Sequence, residues 1–269
     1  MTYRYLPTTN KDRQEMLQTI GLEQTEDLFA DIPQSIRFKD KLDIPAAMSE
    51  PDLVRHMRRL SGKNLSSDQV ISFLGAGAYE HHIPSVVGHV IGRSEFYTAY
   101  TPYQPEVSQG ELQAIFEFQS MICELTGMDV ANSSMYDGPT ALAEAAAMAA
   151  ATSRKSKLLV SRAVHPEARS ILLTQAKAHG LEIVEVPCVD GVTDVRQLEQ
   201  FADENTAAVL VQTPNFFGNL EDLSAIEPIA HRHKGLFVVS TNPMSLGIVE
   251  PPASFGADIV VGDAQPLGI

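Results

Sequence analysis

The sequence predicts an α/β fold, a mostly parallel sheet with helices on both faces, preceded by a polar N-terminal helical arm. Three observations carry this reading. From residue 157 onward short apolar runs alternate with single helical segments, the order that crossover connections impose on a parallel sheet. Those runs are mostly apolar, as strands covered on both faces are. Residues 1–70 hold no comparable run and cannot bury a core by themselves.

In the arm, Asn10 is a candidate cap for a helix carrying Met16, Leu17 and Ile20 and stopping at Gly21. Ser49-Glu50-Pro51-Asp52 opens a second helix, with Leu53, Val54, Met57 and Leu60 on one stripe and Gly62 at its end. Such an arm is expected to lie over a neighbouring domain or subunit. Residues 71–269 form the large domain. Apolar positions 112, 115, 116, 122 and 125 place a helix over 111–127. An Ala-dense helix over 139–154 opens on Asp137-Gly138-Pro139. Strands follow at 157–161, 181–186, 207–212, 236–240 and 258–261, with helices at 166–179, 194–204 and 221–234 between them. The chain stops a few residues after a buried-type strand, which reads as an interrupted domain.

Composition narrows the partners. Twenty Lys+Arg against 34 Asp+Glu give a net charge of −14. Nucleic acid and anionic membranes are thereby disfavoured, since both need clustered cations. Arg55, Arg58 and Arg59 make one solvated helix face, not a binding stripe. The two cysteines, Cys123 and Cys188, cannot form a disulfide scaffold or a cysteine-based zinc site and read as thiols of a reducing cytoplasm. No secretory signal or membrane-spanning stretch is present in these residues.

Several segments could carry chemistry. Gly75-Ala76-Gly77 invites a dinucleotide reading, but the third glycine is absent and His81-His82-Ile83-Pro84 opens no phosphate-binding helix. A tight glycine-permitted turn is favoured. Adjacent His81 and His82 diverge too far to share a metal without further ligands. The segment Tyr100-Thr101-Pro102-Tyr103-Gln104-Pro105-Glu106-Val107-Ser108-Gln109-Gly110 is the densest in functional groups. Its two prolines are expected to hold it as a rigid loop that does not become helix, a common way to present site residues. The start of the Ala-dense helix at Asp137-Gly138 could hold an anion or simply be capped by Asp137. His165 and Asn242 each follow a strand where open sheets place ligand groups, though by themselves a loop residue satisfied by local hydrogen bonds is the favoured reading of each.

Taken in order, these residues resemble the pyridoxal-phosphate fold-type-I family, and within it the glycine-decarboxylating P-protein family of the glycine cleavage system. The resemblance runs over essentially the whole chain. It is carried by Phe73-Leu74-Gly75-Ala76-Gly77 with Tyr79, Tyr100 to Gly110, Ile122 to Asp129, Ala131 to Gly138 and Phe255 to Ile259. It implies a fold-type-I large domain whose smaller C-terminal domain is missing. In that family pyridoxal phosphate is held as an imine on a lysine after the last core strand. Here the corresponding slot reads Gly262-Asp263-Ala264-Gln265-Pro266, and Ser240-Thr241-Asn242 stands where the acidic partner of the pyridine nitrogen is usual.

The pattern is therefore similar to the first, or alpha, subunit of the two-subunit bacterial form. The resemblance implies a cytoplasmic hetero-oligomer in which a lysine-bearing subunit 2 holds the cofactor covalently. It also implies that lipoylated H-protein receives the methylamine group. Tyr100, Tyr103 and Glu106 would act on the substrate, with Gln104, Ser108 and Gln109 supporting their loop. Asp137, Gly138 and His165 would be vestiges of the phosphate and ring-stacking positions, or interface contacts. Two other readings stay open: a non-catalytic scaffold that kept the fold, and a nucleotide-dependent oxidoreductase resting only on Gly75 and Gly77.

Overall fold

The computed structural model describes residues 5–38, 40, 42–77, 79–97 and 101–268. The chain divides into two compact units, Met1–Ile71 and Ser72–Ile269.

The first unit holds α1 (Asn10–Thr19), a 3-10 turn at Thr25–Phe29 and α2 (Glu50–Ser61). Thr9, not Asn10, caps α1. Its hydroxyl accepts from the Asp12 amide, and the Asp12 carboxylate takes the Thr9 amide in return at 2.8 Å. A threonine followed by an acid three residues on closes this reciprocal box, which an Asn one position later cannot do. Ser49 caps α2 and Gly62 ends it, as the sequence predicts. Leu17 is the one buried apolar residue among the described residues of this unit, and Leu53, Val54, Met57 and Leu60 of α2 all stay exposed.

The second unit opens with two short helices, α3 (Ser85–Ile91) and α4 (Ser94–Tyr97). Then come the long helix α5 (Pro105–Thr126) and the Ala-dense helix α6 (Gly138–Ser153). From there strands and helices alternate: β1 (Lys157–Ser161), α7 (Pro166–Ala178) and β2 (Glu182–Val186). A small hairpin of β3 (Cys188–Val189) and β4 (Val192–Thr193) precedes α8 (Val195–Phe201). The series closes with β5 (Thr206–Gln212), α9 (Leu223–Arg232), β6 (Leu236–Ser240) and β7 (Ile259–Val261). The five main strands lie in the order β2-β1-β5-β6-β7, all parallel.

Each strand sends alternate side chains to opposite faces, and both faces are covered. Leu158, Val160, Leu210 and Val238 pack under α6 and α7 with Leu142, Ala146, Ala149 and Leu172. Leu159, Val209, Val211 and Phe237 pack under α8 and α9 with Leu198, Ile226 and Ile229. The alanines of α6 explain its place: small side chains bring a helix axis close to the sheet and leave no void. This confirms the predicted architecture of a mostly parallel sheet with helices on both faces.

One expectation fails. The segment up to Gly110 is not a loop throughout, because α5 begins at Pro105 and runs through Glu106, Ser108 and Gln109. Pro105 sits in the first turn, where its missing N–H is no loss and its fixed φ favours the helix. Three residues later Ser108 leaves helical geometry (φ −132°, ψ 18°), and the helix kinks there.

Candidate functional site

In a parallel α/β sheet, ligand groups gather at the carboxyl ends of the strands. The predicted site residues divide into two sets around the second unit. Tyr103 and Gln104 lie just before α5, and Glu106 and Gln109 on its first turns, all with exposed side chains, Tyr103 at 74%. The Tyr103 amide donates to the Thr101 carbonyl at 2.9 Å and the Val107 amide to the Gln104 carbonyl at 3.2 Å, which holds the turn. Ser108 points inward, only 3% exposed, and its hydroxyl has no hydrogen-bond partner among the described residues. Tyr100 lies outside the described residues.

The second set lies at the sheet itself. Asp137 caps α6, accepting the Thr140 amide at 2.7 Å. Of the first-turn donors of α6, Pro139 has no N–H, Thr140 is spent on Asp137 and Ala141 bonds to the Asp137 carbonyl. That leaves Gly138, and Gly138 is buried against the loop that follows β7. A Cβ on it would stand 3.4 Å from the amide and Cβ of Asp263 and from the carbonyl carbon of Gly262. The helix start is thus capped and packed, the plainer of the two readings of this motif.

His165 caps α7 and is fixed at both ring nitrogens. Its Nδ1 accepts the Glu167 amide at 3.1 Å, so Nε2 carries the proton that it donates to the Ala76 carbonyl at 2.9 Å. The ring also meets Phe216 edge-on, with centroids 5.1 Å apart. Gly75, Ala76 and Gly77 all have positive φ (64°, 56° and 94°), a left-handed turn that agrees with the tight-turn reading and not with a phosphate loop. Asn242 is a local cap, its side chain accepting the Met244 amide at 3.0 Å. No hydrogen bond joins the Tyr103–Gln109 turn to Asp137, Gly138 or His165 among the described residues.

The second unit's four lysines all lie at the opposite, amino end of the sheet. Lys157 begins β1 and binds the Phe201 carbonyl and the Asp203 carboxylate, at 2.7 and 2.8 Å. Lys155 donates to the His233 carbonyl, Lys177 ends α7 and Lys234 precedes β6. At the carboxyl end of β7 the backbone itself is tight: a Cβ on Gly262 would stand 2.4 Å from the Thr241 carbonyl. No group of three or more His, Cys, Asp or Glu side chains able to hold a metal occurs among the described residues. No helix among them is long and apolar enough to cross a membrane.

Two features had no signal in the sequence. One is the buried carboxylate of Glu221, which takes the Thr193 amide at 2.9 Å and the Asn215 side-chain amide at 2.7 Å. The other is a cleft of about 1160 Å³ between α5, α6 and β7, lined in part by the buried Thr241 and the half-buried Glu111. Both arise from residues far apart in the chain.

Comparison with known proteins gives these features a lineage. The chain is 64% identical over all 269 residues to a probable glycine dehydrogenase (decarboxylating) subunit 1 of Halalkalibacterium halodurans and spans 60% of that relative's length. A crystal structure of glycine decarboxylase (P-protein) of the glycine cleavage system, in inhibitor-bound form, superposes with a TM-score of 0.86 at 45% identity. It covers all of this chain and 60% of that one. A sphingosine-1-phosphate lyase from Burkholderia pseudomallei, 14% identical with a TM-score of 0.54 over 77% of this chain and 51% of its own, shares the fold alone. These neighbours are fold-type-I enzymes of the pyridoxal-phosphate class. The family model described as "Glycine cleavage system P-protein" matches residues 3–269, and the chain belongs to that family.

Proposed function

We propose that this chain is the non-lysine subunit of a glycine-decarboxylating P-protein, contributing residues to an active site completed by a second subunit. The observation that carries the reading is the placement of the lysines. Every lysine of the large unit stands at the amino end of the sheet, away from the edge where this fold holds its cofactor. The residues at that edge do not fit pyridoxal phosphate. Gly262-Asp263-Ala264-Gln265 supplies no imine-forming amine, the α6 start is packed against Asp263, and His165 is committed to Ala76 and Glu167. The cofactor then belongs to the lysine-bearing partner, and this chain is inactive alone.

What this chain offers is the exposed turn at the start of α5. A phenol at Tyr103, in the turn before the helix, and a carboxylate at Glu106, in its first turn, can bind the carboxylate and ammonium ends of an amino acid presented from a partner surface. Tyr100 belongs to the same proposal. Gln104 and Gln109 flank them, and buried Ser108 sets the kink that orients the turn. Lipoylated H-protein is the proposed acceptor of the one-carbon amine.

The test is reconstitution. The purified chain should show no cofactor absorbance and no glycine–bicarbonate exchange. Adding a lysine-bearing subunit 2 and lipoylated H-protein should restore exchange, and Tyr103→Phe or Glu106→Gln should lower it at least tenfold while leaving the complex assembled. A borohydride-reducible imine on this chain would overturn the assignment of the cofactor to the partner. Full activity in both variants would leave a scaffold role.

A further inference from the structure

Two polar atoms on the inner side of α5 are buried without a hydrogen-bond partner among the described residues. They are the Ser108 hydroxyl and Glu111 Oε2. One is a donor and the other an acceptor, and in a regular helix side chains three positions apart are neighbours. They do not meet, because the helix leaves regular geometry at Ser108 (φ −132°, ψ 18°). The kink thus separates two groups that would satisfy each other, and each stays desolvated without compensation.

The segment before the kink is lightly held. Outside the helix ladder, residues 101–107 make two backbone hydrogen bonds, Tyr103 to Thr101 and Val107 to Gln104, both internal to the turn. Among the described residues no side-chain hydrogen bond or ion pair ties them to the rest of the second unit. Tyr103 and Val107 are each 74% exposed. Gly110 follows two residues after the kink. A Cβ there would meet no atom within 4 Å beyond the helix's own backbone, and its φ is not left-handed. Neither crowding nor backbone geometry calls for a glycine. What it adds is freedom, since glycine is the poorest helix former after proline and Gly/Ser pairs are a common cause of kinks.

We propose that residues 101–107 form a flap hinged at Ser108–Gly110, with two positions. In one, that of the structure, α5 is kinked and Tyr103 and Val107 face solvent. In the other, Ser108 takes helical geometry, its hydroxyl donates to the Glu111 carboxylate, and α5 runs straight from its first turn. Docking of the lysine-bearing subunit selects the second position, because only there are Tyr103 and Val107 covered; a partner shifts such an equilibrium only through contacts that differ between the two states. Ser108, Gly110 and Glu111 are therefore positioning residues that act through Tyr103 and Glu106. This inference rests on the reading of the turn as part of a site shared with a second subunit, while the hinge itself is a property of this chain.

The experiment follows hydrogen exchange at the amides of Ser108 to Glu111, whose helical acceptors, the carbonyls of Gln104 to Val107, lie across the hinge. It uses the full 269-residue chain, alone and with saturating lysine-bearing subunit 2. In the chain alone these amides should exchange at least tenfold faster than those of Ile115 to Ile122, and Gly110→Ala should slow them about fivefold. Subunit 2 should slow them at least tenfold. Ser108→Ala and Glu111→Ala should each cut that slowing below threefold, and the double variant should cut it no further. Glu111→Gln, which keeps an accepting oxygen, should retain it. The hinge is refuted if Ser108 to Glu111 exchange as slowly as the helix body in the chain alone, or if Glu111→Ala keeps the full slowing. Glycine–bicarbonate exchange is read on the same samples. Slowing without activity removes the decarboxylase reading and leaves the hinge; activity without slowing does the reverse.

Discussion

The imidazole of His165 and the carbonyl of Ala76, 89 residues apart, are joined at 2.9 Å. Because Nδ1 is already an acceptor for the Glu167 amide, the donor nitrogen of the ring is Nε2, and it is spent on Ala76. One side chain thus caps α7 and fixes the left-handed turn at Gly75–Gly77.

His165→Ala should release both ends. Loss of the cap costs about 1 kcal/mol, read as a lower midpoint in urea. Amide exchange at residues 75–77 should rise together with it. His165→Asn, which keeps a short cap acceptor but cannot reach Ala76, should restore most of the stability and leave the turn in fast exchange.

The pH dependence of stability should show a histidine locked between two acids. His231, in the last turn of α9, meets Glu227 at 2.5 Å and Asp258 at 2.7 Å, and Asp258 also takes the Phe237 amide at the start of β6. Partial burial pulls its pKa down, but the hydrogen bonds and charges of Asp258 and Glu227 together outweigh this and raise it above the usual 6.5. A group that binds its proton more tightly when folded stabilises the fold fully below pH 6.5. That contribution is lost as pH rises through the elevated folded value. Thermal midpoints of the wild type should fall across this interval, and those of His231→Gln should not. Equal slopes would refute the assignment.

Glu221 should be the most costly surface-adjacent carboxylate to remove. It is 8% exposed and holds the β3–β4 hairpin to the loop after β5 through Thr193 and Asn215. Glu221→Ala leaves two buried donors unmet, a loss of about 2–4 kcal/mol. Equilibrium unfolding checks the magnitude. A nuclear magnetic resonance spectrum of the variant should show the Thr193 backbone amide and the Asn215 side-chain amide signals shifted.

Gly262→Ala should distort the carboxyl end of the sheet. The added methyl would meet the Thr241 carbonyl at 2.4 Å, and backbone on backbone has no flexible end to yield. A drop of several degrees in melting temperature is expected, with faster exchange at Thr241, whose amide bonds to the Val261 carbonyl. Phe237→Ala, fully buried under α9, gives the comparison: about 3–5 kcal/mol from a cavity, without local distortion of β7.

Much of this molecule is legible in the residue order. The apolar runs at 157–161 and 236–240 coincide with β1 and β6, and Ser49 with Gly62 bounds α2. Strand and helix periods and caps are properties of neighbouring residues, so a local reading reaches them. The start of α5 escaped that reading because Pro105 is equally at home in a rigid loop and in the first turn of a helix. Neither local rule distinguishes them.

The chemistry divides along the same line. Sequence alone determined that residues 262–269 hold no lysine and that the densest cluster of phenol, amide and carboxylate groups lies over residues 100–110. Tertiary structure alone decided that Gly138 is packed on Asp263, that His165 is tied to Ala76, and that β7 borders an open apolar cleft. Those are contacts between segments tens of residues apart. They depend on how the sheet stacks its strands, which no local periodicity encodes.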